Sequence, residues 1–262
     1  MSKVDEDPRV ERGWSHGYER KLSRFLARHL PSRRASLRGG SAVASITFDD
    51  IPASAASVGA PILERFGQRG TFYVAASLCG LQDRYWRMAD RGQVRDLARS
   101  GHEIGCHTAR HVNVQSLTPG ALAAECDASR ALLEEICGRD ARNFCYPYGD
   151  VGLAQKRVLA SRFATSRSIY EHANIGRVDP ALLGAYGLFD SVLDRRRLLA
   201  AVRRTVAARG WLIFYTHDVA PDPTPMGATP GLLADVLTVL ADHGMPVLTV
   251  AEAARHHGLA NA

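Results

Sequence analysis

From residue 42 onward the chain alternates short runs of apolar, β-branched residues with longer stretches of helical periodicity. The runs AVASITF (42–48), GTFYVA (70–75), HEIGCH (102–107), NFCYP (143–147), FATSRSI (163–169), WLIFYTH (211–217) and PVLTV (246–250) read as strands. Between them, apolar residues return at three- and four-residue intervals near 54–67, 91–99, 118–137, 152–160, 191–208 and 230–242, with a last short helix near 251–257. Thr118-Pro119 and Thr229-Pro230 each set a capping hydroxyl before a residue already restricted to helical φ. Gly101, Gly138, Gly210 and Gly244 follow helical runs as stops. Strand–helix alternation at this length predicts an α/β domain with a parallel sheet, either closed into a barrel or doubly wound.

Residues 1–41 follow a different pattern. Leu22, Phe25, Leu26 and Leu30 recur at helical spacing while Arg20, Lys21, Arg24 and Arg28 occupy other positions of the same turns, which predicts a short basic amphipathic helix. Pro31 and the Ser/Arg/Gly-rich run to Ser41 separate it from one large domain over 42–262. Two uses of the helix stand open: packing its apolar stripe onto the main domain, or peripheral contact of residues 20–30 with an anionic membrane. This segment also explains the charge. It carries ten basic and five acidic residues, so nearly all of the net +6 resides there and the body is close to neutral. No basic stripe with interleaved aromatics marks a nucleic-acid partner.

The chain shows neither a membrane-spanning run nor an apolar signal region after its first charges, which predicts a cytoplasmic protein, peripheral at the inner membrane face if the helix docks there. Five cysteines (79, 106, 126, 137, 145) without a C-x-x-C pair predict free thiols rather than a disulfide framework or a thiolate zinc site. No glycine-rich phosphate loop is present, so a nucleotide cofactor is not expected.

The polar residues gather at strand C-terminal ends, the rim on which parallel barrels build their sites. Asp49 and Asp50 end the first run, His107 the third, Tyr146-Pro147-Tyr148-Gly149-Asp150 follow the fourth, and His217-Asp218 end the sixth. His107-Thr108-Ala109-Arg110-His111 puts two imidazoles four residues apart. With one carboxylate they make the three-ligand set of an open catalytic zinc site. The same set accepts cobalt or nickel.

Taken together, Thr47-Phe48-Asp49-Asp50, His107-Thr108-Ala109-Arg110-His111, the Tyr146-Pro147-Tyr148-Gly149 segment and the histidine closing Trp211–His217 resemble, in order and spacing, the polysaccharide deacetylases with a NodB-homology domain. The resemblance covers about residues 42–255. It implies a distorted (β/α) barrel of roughly seven parallel strands that hydrolyses an N-acyl, usually N-acetyl, group of an amino sugar with one divalent metal. It further implies Asp50, His107 and His111 as metal ligands, Asp49 as general base, His217 as general acid, and a backbone N–H at Tyr148 for the oxyanion, with Pro147 in the same turn.

Three positions depart from the family pattern. The glycine that commonly follows T-F-D-D is Ile51, and Cys145 stands where many members carry an arginine that pairs with the base. Arg177, in N-I-G-R-V-D-P, is the substitute this reading offers on the substrate side. The Asp-Trp motif that orients the histidine is not evident, and Asp179 takes that place only by position. Tyr73 and Trp86 offer a sugar-stacking face or simple core packing. The expected substrate is an N-acetylated sugar or glycan precursor, including a lipid-linked one. The alternatives are an amidase or deformylase on another C–N bond, or a non-catalytic carbohydrate-binding relative.

Overall fold

The computed structural model describes residues 15–259. Helix α1 (Ser15–His29) is followed by a two-residue strand β1 (Ala35–Ser36) and then by β2 (Val43–Phe48), α2 (Ala60–Arg65), β3 (Thr71–Val74), α3 (Arg91–Arg99) and β4 (Glu103–Cys106). The chain continues through α4 (Pro119–Cys137), β5 (Asn143–Cys145), α5 (Leu153–Ala160), β6 (Thr165–Arg167), β7 (Arg177–Val178) and β8 (Tyr186–Gly187). It closes with α6 (Arg195–Ala207), β9 (Trp211–Thr216), α7 (Pro230–Asp242) and α8 (Val250–His256). A turn of π-helix, Ala55–Gly59, leads into α2.

Seven strands form one parallel sheet in the order β6-β5-β4-β3-β2-β9-β8, curled into a distorted half-barrel. All six residues of β2 are buried, which requires cover on both faces. Alternation divides them. Ala44, Ile46 and Phe48, with Leu212 and Phe214 of β9, join the large core under the helices. Val43, with Trp211 and Ile213, joins a smaller cluster on the concave side that also holds Tyr73 and Cys145. By the same parity Asp49, one residue past β2, faces that concave side, and its N–H extends the ladder to the Thr216 carbonyl (2.9 Å).

The predicted caps at Thr118 and Thr229 form: their hydroxyls accept from Ala121 N (3.2 Å) and Leu232 N (3.1 Å). The predicted strand at 246–250 does not. Only Val247 bridges Ala44, and the seventh strand is the two-residue β8, whose Tyr186 and Gly187 pair with Phe214 and Tyr215. Two residues carry no periodicity, so only the β9 edge reveals β8. At the end of α6 the left-handed residue is Arg209 (φ 50°) rather than Gly210. Gly210 is needed for close approach instead, since a Cβ there would sit 2.7 Å from the Asn174 carbonyl.

Helix α1 packs on α5, but not by the stripe that the periodicity marks. Ala27 is fully buried, whereas Leu22, Phe25 and Leu30 remain exposed, because the helix is held by polar contacts on its other face. Ser23 Oγ accepts from Leu153 N (3.0 Å) and Arg24 pairs with Asp150 (3.3 Å). The Lys156 ammonium, fully buried in α5, donates to the Ala27 and Leu30 carbonyls (2.6 Å each) and to Asp179 (2.8 Å). The strand β1 then pairs antiparallel with β7. No helix among the described residues is long and apolar enough to cross a membrane.

Candidate active site

Three rim segments converge at the C-terminal ends of β2, β4 and β5. Asp50 Oδ1 lies 3.1 Å from His107 Nε2 and 3.0 Å from His111 Nε2. His107 Nδ1 lies 2.8 Å from the Cys145 carbonyl, which accepts its proton and leaves the Nε2 lone pair facing Asp50. Asp50 Oδ1 is buried and receives no hydrogen bond from any described residue. One ligand atom from each residue lies within 4.8 Å of the others. A buried carboxylate oxygen and two imidazole nitrogens, all acceptors crowded together, fit a divalent cation.

Backbone strain concentrates here. Of the six non-glycine residues with positive φ among the described residues, five belong to these segments: Asp50 (58°), Ile51 (61°), Thr108 (60°), His111 (53°) and Tyr148 (59°). Ile51 thus adopts the left-handed turn that glycine would take more cheaply, and its side chain is buried at 1% exposure, so apolar burial offsets the strain. Thr108 Oγ1 accepts from Val112 N (3.1 Å) and its carbonyl accepts from Ser129 Oγ (3.1 Å), which holds the loop between the two histidines.

Asp49 turns away from this cluster. Its carboxylate, 4% exposed, is ion-paired with Arg167, which is itself fully buried at the end of β6. The register explains the pair. Cys145 of β5 is aligned with Arg167 of β6, so the guanidinium reaches over Cys145 Sγ (2.7 Å) to the carboxylate. Burial alone would raise the Asp49 carboxyl; Arg167, His107 and His217 override it and hold the carboxyl below its ordinary value. The arginine missing at position 145 is therefore supplied by the next strand. Its sequence signal was a lone charge inside the strand-like FATSRSI.

The cavity beside these groups has a volume of about 460 Å³. Asp49, Asp50, His107, His111, Tyr148 and His217 all line it, with Tyr85, Trp86, Phe189 and Tyr215 as aromatic walls. His217 Nδ1 lies 3.0 Å from the Met226 carbonyl, so Nε2 is the free nitrogen, and its ring stacks on Trp86 (centroids 5.7 Å, 27°). Tyr73, by contrast, is fully buried in the core cluster and presents no sugar face.

Three predicted positions lie outside the lining of this cavity. Pro147 is buried in the short helical turn Pro147–Gly149 and shapes it without lining the cavity. Arg177 lies exposed on β7 opposite Ser36, outside the cavity, because β7 pairs with β1 and not with the main sheet. Asp179 does not reach His217; Lys156 and the Ser32 (2.9 Å), Arg33 (3.2 Å) and Ala181 (3.0 Å) N–H groups occupy its carboxylate.

Residues 37–164 match the family model for polysaccharide deacetylase. A gellan lyase from Bacillus sp. is 33% identical over 106 residues, 40% of this chain but only 4% of that protein. Among solved structures, a Mycobacterium smegmatis protein assigned to the polysaccharide deacetylases superposes with a TM-score of 0.62 at 18% identity, covering 87% of this chain and 94% of that one. A family 4 acetyl xylan esterase from Clostridium thermocellum, in complex with a cobalt ion, gives 0.56 at 20% identity, covering 81% and 90%. These superpositions establish the shared fold, and residues 37–164, which also hold the converged Asp-His-His cluster, belong to the polysaccharide deacetylase family.

Proposed function

We propose that this protein hydrolyses the N-acetyl group of an amino sugar in a glycan or glycan precursor, with Asp49 as general base and His217 as general acid. The observation that carries the reading is the division of labour between adjacent carboxylates: Asp50 faces the two histidines, while Asp49 faces the same cavity from its ion pair with Arg167. A divalent cation bound by Asp50, His107 and His111 supplies Lewis acidity toward the acyl carbonyl and toward water. Zinc suits two imidazoles and a carboxylate, and cobalt and nickel remain compatible.

Asp49 is ionised at neutral pH and takes the proton of the attacking water at a carboxylate oxygen. Across the cavity His217 delivers a proton from Nε2 to the departing amine; its Nδ1–H bond to Met226 fixes the ring for that task. The left-handed turn at Tyr148 supports the oxyanion role of its N–H. The aromatic side chains lining the cavity suit the apolar face of a pyranose.

Asp49→Asn keeps size and hydrogen bonding but cannot accept the proton. Acetate release from an N-acetylated oligosaccharide is expected to fall by about 10²–10⁴-fold, while elemental analysis still finds one zinc equivalent in the zinc-loaded variant. Undiminished turnover would remove Asp49 as the base, and formate or ammonia in place of acetate would redirect the reading to another C–N bond.

A further inference from the structure

A second groove of about 740 Å³ adjoins the active-site cavity, and Ile169 lines both. Its walls are α1, β7 and the segment between β6 and β7. Both acids in it are committed: Glu171 to Arg197 (2.6 Å), Asp179 to Lys156 and three backbone N–H groups. The two arginines are not. Arg28 rests its guanidinium on the Tyr170 ring, 3.7 Å from the centroid, and makes no ion pair with a described carboxylate. Arg177 likewise has none. The Tyr170 hydroxyl is buried without a hydrogen-bond partner. The groove is therefore positive although its carboxylates and guanidiniums are equal in number, and it shares the Ile169 wall with the cavity at the Asp50–His107–His111 cluster.

We propose that this groove binds a phosphate-class oxyanion borne by the substrate, so that the enzyme acts on a glycosyl phosphate or diphosphate whose N-acetyl sugar occupies the active-site cavity. This rests on the reading of the reaction given above. Two guanidiniums from separate elements, one stacked and so oriented, call for an anion with several oxygens and more than one charge, which phosphate offers and a single carboxylate does not. The apolar Ile169 side chain sits at the junction, where the uncharged sugar passes into the charged group.

The test begins with binding, which needs no turnover. Inorganic pyrophosphate is titrated calorimetrically into the zinc-loaded chain, into Arg28→Ala and Arg177→Ala, and into the double variant, with glucuronate as the carboxylate comparison. Each substitution is expected to weaken pyrophosphate binding by about tenfold, the size of one charge-assisted contact, and glucuronate is expected to bind less tightly throughout. Pyrophosphate binding in the double variant as tight as in the unsubstituted chain belongs to the cation site and overturns the proposal, as does glucuronate binding of equal strength.

Turnover then separates the two readings. A neutral N-acetyl chitooligosaccharide reports the deacetylation alone. The ratio of kcat/KM for a phosphorylated over the neutral N-acetyl substrate is expected to fall in both arginine variants, and a ratio insensitive to them overturns the groove while leaving the reaction standing. Presenting the sugar as a soluble 1-phosphate or as a polyprenyl diphosphate in vesicles identifies which source supplies the anion by the larger arginine-dependent gain; no such gain with either form overturns the proposal.

Discussion

An arginine buried at the end of a strand has to be matched by an anion, and Asp49 is that anion for Arg167. Arg167→Ala leaves the carboxylate buried and unmatched, which costs about 3–5 kcal/mol in denaturant unfolding. It also removes the strongest of the charges that hold the Asp49 carboxyl down, so the acid limb of the pH–rate profile moves to higher pH. Arg167→Lys returns the charge without the planar fork and recovers part of both losses. An acid limb unmoved in both variants would show that a different group titrates there. The residues of the cation site were legible in the sequence because each sits in a short motif at a strand end. Arg167 was not, since its pairing depends on the alignment of Cys145 with residue 167 across two strands, a relation in space that spacing along the chain does not carry. The place of Arg177 was hidden for the same reason: its neighbour is β1, not the rim.

At the scale of elements, strands that read as short apolar runs and helices with a Thr-Pro start were readable to within a residue or two, as α4 and α7 illustrate for the helices. The elements that escaped are those created by their neighbours. Strand β8 exists because β9 offers an edge, and the exposed stripe of α1 exists because Ser23, Arg24 and the carbonyl ends of the helix are the groups engaged. The end of α8 carries a pH dependence of its own. His257 is fully buried, accepts a hydrogen bond from Gly39 N (3.3 Å) at Nδ1, and has its pKa lowered to about 4, by burial first and then by His256. The unfolded imidazole takes up its proton near pH 6.5 while the folded one resists it. Stability is therefore full above that value and falls as pH drops from about 6.5 toward about 4. His257→Gln is expected to flatten thermal stability over this window; an unchanged slope would assign the dependence elsewhere.

Over the whole molecule, the polar seam under α1 ties the N-terminal segment to the barrel. Lys156 relies on two of its carbonyls, so deletion of residues 1–34 strips a buried ammonium of all its oxygens except Asp179. The shortened chain is expected to lose about 2 kcal/mol or more of stability, and Lys156→Met in that background to return part of it; equal melting of the full and shortened chains would make α1 a passenger. The left-handed residues have a consequence of a different kind. Five strained positions lie in three loops that share one point, while the sheet behind them is unstrained and densely packed. The loops therefore form the least stable cooperative unit, and a cation held by Asp50, His107 and His111 acts as the missing crosslink between two of them. In amide hydrogen exchange, residues 49–51, 107–111 and 146–149 should open well before β2, β3 and β9, and added zinc should slow the first two segments, which hold its ligands, without changing exchange in the sheet. Heating without the cation would then silence the enzyme while the barrel is still folded, and the cation would bring the two temperatures together.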